Sequence, residues 1–199
     1  MLAWAFLVAG YFAWRSDHVR LIRKLAIREI HIQETPVTRG DNIVDHRTFV
    51  QLVPRCLTDS PVYDCVACLQ RVEKLTAEGN WQETELDRNL ILPWRKEHHP
   101  QAGQMLNIFS IQHRTNQVIP CLQPNADIPW VKFDSIFGGE PDVTEFRFYI
   151  RLTHSDKVGG DSIKPVRVRL DVNFANDRLH PRFGLKELVT TVLGVQRYV

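Results

Sequence analysis

The sequence carries none of the common catalytic signatures. It has no glycine-rich phosphate loop, no nucleophile elbow and no His-Glu-x-x-His. Asp59, Asp64, Asp156 and Asp161 fall in predicted loops, where carboxylates ordinarily cap turns. No repeat of fixed period is apparent, which argues against a solenoid or propeller. Cysteine is scarce. Four residues (Cys56, Cys65, Cys68 and Cys121) in 199 are too few for a disulfide-stapled secreted scaffold. Cys65-Val66-Ala67-Cys68 has the spacing of a metal-binding pair, but on a strand positions i and i+3 point to opposite faces. The thiols are therefore expected to be small buried groups in a reducing compartment. His98-His99 is the only adjacent histidine pair, and neighbouring positions rarely aim both rings at one ion. No catalytic residue, cofactor or metal site is predicted on these grounds.

Net charge is also small, at +2, but it is unevenly placed. Residues 1–28 hold Arg15, Arg20, Arg23, Lys24 and Arg28 against Asp17, a net +4, so the remainder carries −2. A nucleic-acid binder keeps its basic excess on the folded domain. Here the excess follows an apolar segment, which points to a membrane surface and away from DNA or RNA.

That segment, Met1–Trp14 (MLAWAFLVAGYFAW), is uncharged. A bilayer-spanning helix needs about 20 apolar residues for about 30 Å, whereas 14 residues of helix rise only about 21 Å. A secretory signal would begin with basic residues and end in a small-residue cleavage site, and neither is found. Trp4 and Trp14 suit the membrane interface, with Arg15, Arg20, Arg23 and Lys24 at the headgroups. Residues 1–25 are thus expected to form a membrane anchor with a basic neck, cut short or serving as one arm of a helix hairpin. Val19, Ile22 and Ala26 at helical spacing carry the helix into that neck. The positive-inside rule then places residues 26–199 in the cytoplasm.

From Ala26 onward the apolar period shortens to that of strands. A first strand is expected to stop before Pro36, and Thr38–Asn42 has turn chemistry. Arg47–Val53, Cys65–Leu75, Trp81–Leu86, Asn89–Trp94, Met105–Ile111 and Gln117–Leu122 follow as short strands. Gly79 supplies the turn between the third and fourth. Asn125–Pro141 reads as a long connection tacked down by Trp130, Phe133 and Phe137.

The clearest alternation comes next. Phe146, Phe148, Ile150 and Leu152 alternate with Glu145, Arg147, Tyr149 and Arg151. Val166, Val168, Leu170 and Val172 alternate with Arg167, Arg169, Asp171 and Asn173. Together these predict a half-buried hairpin. Arg147, Tyr149, Arg151, Arg167 and Arg169 on its solvent face form either a charge-paired surface or a ligand-binding face. Leu185, Leu188, Val189, Val192 and Leu193 fit one face of a short C-terminal helix, with a terminal strand as the alternative because Thr190, Thr191 and Val192 are β-branched.

The fold class is therefore mainly β: an antiparallel sandwich, Ig-like in architecture, over residues 26–199, with the N-terminal helix and the short C-terminal one. The segments IHIQETP, TFVQLVPRCLTDSPVYDCV and EFRFYIRLT, behind an aromatic helix and basic neck, resemble small uncharacterised bacterial inner-membrane proteins. That resemblance implies N-terminal membrane helices and a cytoplasmic β-domain, and it carries over no functional residue. By architecture alone the chain is also similar to membrane-helix effectors of antiphage systems. The leading expectation is a membrane-tethered module that binds a protein or small ligand, with self-association as an option. A membrane-disrupting effector and a hydrolase on a β scaffold are the alternatives.

Overall fold

The computed structural model describes residues 2–22, 25–57, 62, 64–84, 90–95, 105–114, 117–120, 144–154, 157–158, 161–162, 165–174, 179–190 and 196–198. In chain order the elements are helix α1 (Leu2–Ile22), β1 (Leu25–Arg39), β2 (Asn42–Cys56), β3 (Val66–Leu75), β4 (Trp81–Glu83), β5 (Leu90–Ile91) and β6 (Trp94–Arg95). They continue with β7 (Met105–Gln112), β8 (Gln117–Pro120), β9 (Glu145–Thr153), β10 (Lys157–Val158), β11 (Asp161–Ser162), β12 (Val166–Asn173), β13 (Arg182–Thr190) and β14 (Gln196–Tyr198). The predicted connection Asn125–Pro141, the pair His98-His99 and Cys121 lie outside the described residues.

The strands make two antiparallel sheets. The first runs β1-β2-β7-β6, with β8 also on β7; the second runs β14-β13-β12-β9-β3-β4, with β5 also on β3. Strands β10 and β11 form a separate two-stranded ribbon. Both long hairpins turn on glycine in the left-handed region, Gly40 at φ 63° and Gly79 at φ 79°, where a Cβ would be strained.

One core serves both sheets. Val50, Leu52, Leu106, Ile108, Phe109 and Ile111 from the first sheet are buried with Leu69, Val72, Phe148, Ile150, Leu152, Val168 and Leu170 from the second. The rings of Phe109 and Phe148 stack across the interface with centroids 5.4 Å apart, and Phe174 leans on Phe109 at 6.2 Å. The predicted alternation is realised along β12 and along β9 except at Tyr149, which is buried although expected in solvent; Phe148 lies opposite Leu170 and Phe146 opposite Val172. A register shift between Val50 and Gln51 leaves Ile108 without a direct partner, so Ile108 and Phe109 can both be buried.

Four expectations need correction. First, Asn89–Trp94 is not one strand. Leu90–Ile91 pairs with β3 in the second sheet and Trp94–Arg95 with β7 in the first, so the chain changes sheets at Leu92-Pro93. The crossing is fastened on both sides: the Leu92 amide donates to the Ala67 carbonyl at 2.9 Å, and the Pro93 carbonyl accepts from the Asn107 amide at 3.1 Å. Proline, having no N–H, fits where pairing must stop.

Second, β1 does not stop before Pro36 but continues to Arg39. Because β1 is an edge strand, the missing N–H of Pro36 costs no ladder bond that the sheet requires.

Third, Leu185–Val195 does not begin as a helix. Arg182–Thr190 is a strand paired along β12, with Leu185 opposite Leu170 and Phe183 opposite Val172. The spacing of its leucines fits a helix, but burying Phe183 and Leu185 against the core while covering the open edge of β12 selects the strand.

Fourth, the helical neck ends at Ile22, because Leu25, Ala26 and Ile27 are buried as the start of β1.

Truncating Phe109 removes the central contact between the sheets. Phe109→Ala is expected to lower the unfolding free energy by about 3–5 kcal/mol, read as a shifted urea midpoint with a cooperative transition.

Candidate functional site

Three regions of the described structure carry chemistry: the helix surface, the outer face of the second sheet, and one rim of the first sheet.

Trp4, Phe6, Leu7, Tyr11, Phe12 and Trp14 are all exposed on α1, from 76% at Trp4 to 50% at Tyr11. The predicted interface residues Trp4 and Trp14 stand on this surface, and Arg15 and Arg20 follow on the same helix. Arg23 and Lys24 lie outside the described residues. Among the described residues, no helix is long and apolar enough to cross a membrane.

The five residues singled out as a ligand face all sit on the outer side of the β9–β12 pair. Three of them join one network. Asp171 Oδ2 accepts from Arg169 Nη2 at 3.0 Å, and its Oδ1 faces the Arg147 guanidinium at 3.5 Å. Arg147 in turn lies 3.5 Å over the Trp81 ring. Tyr149 donates its hydroxyl to Glu73 at 2.6 Å, while Arg71 lies 3.9 Å from its ring centroid and 3.3 Å from Glu73. Arg151 and Arg167 are cross-strand neighbours in register, two like charges side by side.

A shallow groove of about 170 Å³ opens beside this network, lined by Trp81, Arg147, Asp171, Arg182 and Gly184 among others. A Cβ at Gly184 would meet that of Asp171 at 3.6 Å, an ordinary van der Waals contact. Burial opposes the charge of Arg169, but the bonds and charges of Asp171 and Tyr149 outweigh it and raise its pKa. The Tyr149 phenol is pushed above the ordinary tyrosine value, first by burial, then by the bond to Glu73 and its charge.

The third region was not visible in the sequence. Glu34, His46 and His113 place ligand atoms within 4.8 Å of one another. Glu34 pairs in register with Thr48, so the two side chains share a face; His46 is two residues along β2 on that same face. Ile111 pairs with Thr48 on the other side, and His113 is two residues beyond Ile111. Thr48 and Ile111 are buried, so the cluster lies on their side of the sheet, Glu34 in the row of that buried pair and the two histidines one row beyond.

Hydrogen bonds hold it in place. The His113 amide donates to the His46 carbonyl at 3.0 Å, and Thr48 Oγ1 lies 2.7 Å from His113 Nε2. One Asp45 carboxylate oxygen accepts from the amides of both His46 and Arg114, at 2.8 and 3.0 Å. Desolvation pushes the Asp45 carboxyl up, but these amides, the Gln112 side chain and the nearby His113 outweigh it and hold its pKa below the usual value. The pairing of His46 with His113 depends on strand register, and 66 intervening residues hide it. The pair Asp45-His46 and the triplet Gln112-His113-Arg114 are the only local signal.

The cysteines differ from expectation. Cys56 is exposed, and Cys65 and Cys68 are only partly covered; none of the three is in a disulfide. No family model, curated protein or solved structure matches the chain.

Two outcomes follow for the outer face. Asp171→Ala, which strips both Arg147 and Arg169 of their acid, is expected to cost about 1–3 kcal/mol in urea denaturation. The Tyr149 phenolate, followed by ultraviolet absorbance against a Tyr149→Phe reference, is expected to form at lower pH in Glu73→Gln than in the native chain. Because the folded value is raised, the stability linked to Tyr149 is fully present below about pH 10 and is lost as pH rises through that folded value.

Proposed function

We propose that this chain is a membrane-attached binding module, with an Ig-like antiparallel sandwich carried on a lipid-inserted helix. The Trp4–Trp14 half of α1 enters one leaflet, and Arg15, Arg20, Arg23 and Lys24 meet anionic headgroups. The β-domain is held at the cytoplasmic surface of a bacterial inner membrane, where it engages a protein or small ligand. What supports this reading above all is the uninterrupted exposure of residues 4–14, every one of them uncharged and five of them aromatic.

The arrangement of charge supports the choice of occupant. Burying six large apolar side chains in lipid is favourable at about 25 cal/mol per Å² of apolar surface. Each basic residue near an anionic surface adds about 1 kcal/mol. The first fourteen residues are apolar all round, with no polar stripe, which favours oblique entry into a leaflet over lying flat along the interface. The roughly 21 Å of apolar rise still falls short of a bilayer's thickness of about 30 Å, so insertion into one leaflet matches the length as well.

The β-domain supplies the binding surface in this reading. The groove beside Gly184 combines an aromatic wall at Trp81 with Arg147, Arg182 and Asp171 along its length. Such a mixture suits a polar ligand with an apolar edge.

Sedimentation of the full chain with vesicles tests the attachment. It is expected to pellet with vesicles containing phosphatidylglycerol, with tryptophan emission moving to shorter wavelength, and to pellet less with phosphatidylcholine alone. The triple variant Trp4→Glu, Phe6→Glu, Phe12→Glu is expected to remain in the supernatant. A native chain that stays in the supernatant with both lipids would sink the proposal.

A further inference from the structure

We infer that Glu34, His46 and His113 form a binding site for a zinc-class divalent cation, independently of how the helix is used. Three features carry the inference. The donor set is two imidazoles and one carboxylate, brought together from three strands or strand ends, with all ligand atoms within 4.8 Å of one another. In a tetrahedral zinc site with ligand bonds near 2.0–2.2 Å, ligand atoms stand about 3.3 Å apart. Closing the difference takes about 1.5 Å of side-chain movement, and Glu34, exposed on the edge strand β1, is free to swing the furthest.

The second feature is the support around the two histidines. Metal-binding imidazoles are normally oriented by a hydrogen bond at the ring nitrogen that does not meet the metal. Thr48 Oγ1 bonds His113 at Nε2 and so orients its ring; in the proposed site Nδ1 would then meet the ion. The Thr48 side chain is buried, so its hydroxyl is fixed by the sheet and not by chance of solvent exposure. Asp45 fixes the backbone on both sides by accepting from the amides of His46 and Arg114 through a single oxygen. Its charge also lies beside the site, favouring a cation there. The imidazole rings are 6.0 Å apart and inclined at 47°, so they converge without stacking flat.

The third feature is position. The cluster sits where the inner face of the first sheet reaches solvent, which gives an ion a path in. Two nitrogens and one oxygen suit zinc and its transition-metal neighbours, whereas magnesium and calcium prefer oxygen alone. Three protein ligands leave the fourth tetrahedral position for water or an exogenous donor. Bound there, the ion would cross-link the β1–β2 hairpin to the end of β7.

The test uses the full chain without an affinity tag, held in mild detergent, and titrates Zn²⁺ against a chromophoric chelator. One equivalent is expected to bind, Mg²⁺ is expected not to compete, and Co²⁺ is expected to give the intense visible bands of tetrahedral coordination. His46→Ala and His113→Ala are each expected to weaken zinc binding by more than about 100-fold, beyond the range that loss of an outer partner costs. Thr48→Val is expected to weaken it by about 10- to 100-fold. Glu34→Gln changes only an exposed side chain, so it reports on the site even where a histidine variant fails to fold. Zinc is also expected to raise the thermal midpoint of the native chain and not that of Glu34→Gln. Absence of stoichiometric binding overturns the inference. So does binding undiminished in both Glu34→Gln and His113→Ala, since other histidines or cysteines would then hold the ion.

Discussion

The contact on which the rest depends is the burial of Phe109 from one sheet against Phe148 from the other. A sheet with one apolar face is stable only when that face is covered, and each sheet here is the other's cover. The aromatic stack lies at the centre of that interface, and around it the leucines, isoleucines and valines of β2, β7, β9 and β12 exclude water. The sheet-changing segment Leu90–Arg95 closes the same arrangement from the side. Its Leu92 is fully buried, and the Trp94 indole donates to the Cys65 carbonyl at 2.9 Å, so backbone and side chain both tie the layers together.

With the interior settled, the two polar regions obey different rules. On the outer face of the second sheet, cations and anions alternate and satisfy one another: Asp171 serves two arginines and Glu73 serves Arg71 and Tyr149. The compensation stops at Arg151 and Arg167, which stand side by side in register as like charges. At the rim of the first sheet the opposite holds. There the acid Asp45 bonds to backbone amides, and the imidazole and carboxylate side chains beside it are left facing one another across open space. Compensated charge makes a surface soluble, whereas converging donors make a site.

How much of this was legible in the sequence depends on the range of the interactions. Period-two alternation along Glu145–Thr153 and Val166–Asn173 follows from local geometry, and it named the core-facing residues correctly; Tyr149, assigned to the solvent face, is covered there by its neighbours. Gly40 and Gly79 were equally readable, because a left-handed turn is a property of one residue. The path of Leu185–Thr190 was not, since Leu185 and Leu188 suit helix and strand alike, and only the unpaired edge of β12 decides between them. Nor could Pro93 reveal that it separates strands of two different sheets. The Glu34, His46 and His113 cluster was the least visible feature of all. It exists only once β1, β2 and β7 are in register, and a shift of one residue would turn every one of its side chains to the opposite face.

One further consequence lies in the junction between helix and domain. Ile22 ends α1 and Leu25, already buried in the core, begins β1, so only two residues stand between them. A fully extended chain covers at most about 3.6 Å per residue, which limits the leash to about 11 Å. A tether that short leaves the domain little freedom to tumble. Any pull on the helix is delivered straight into the first strand of the core.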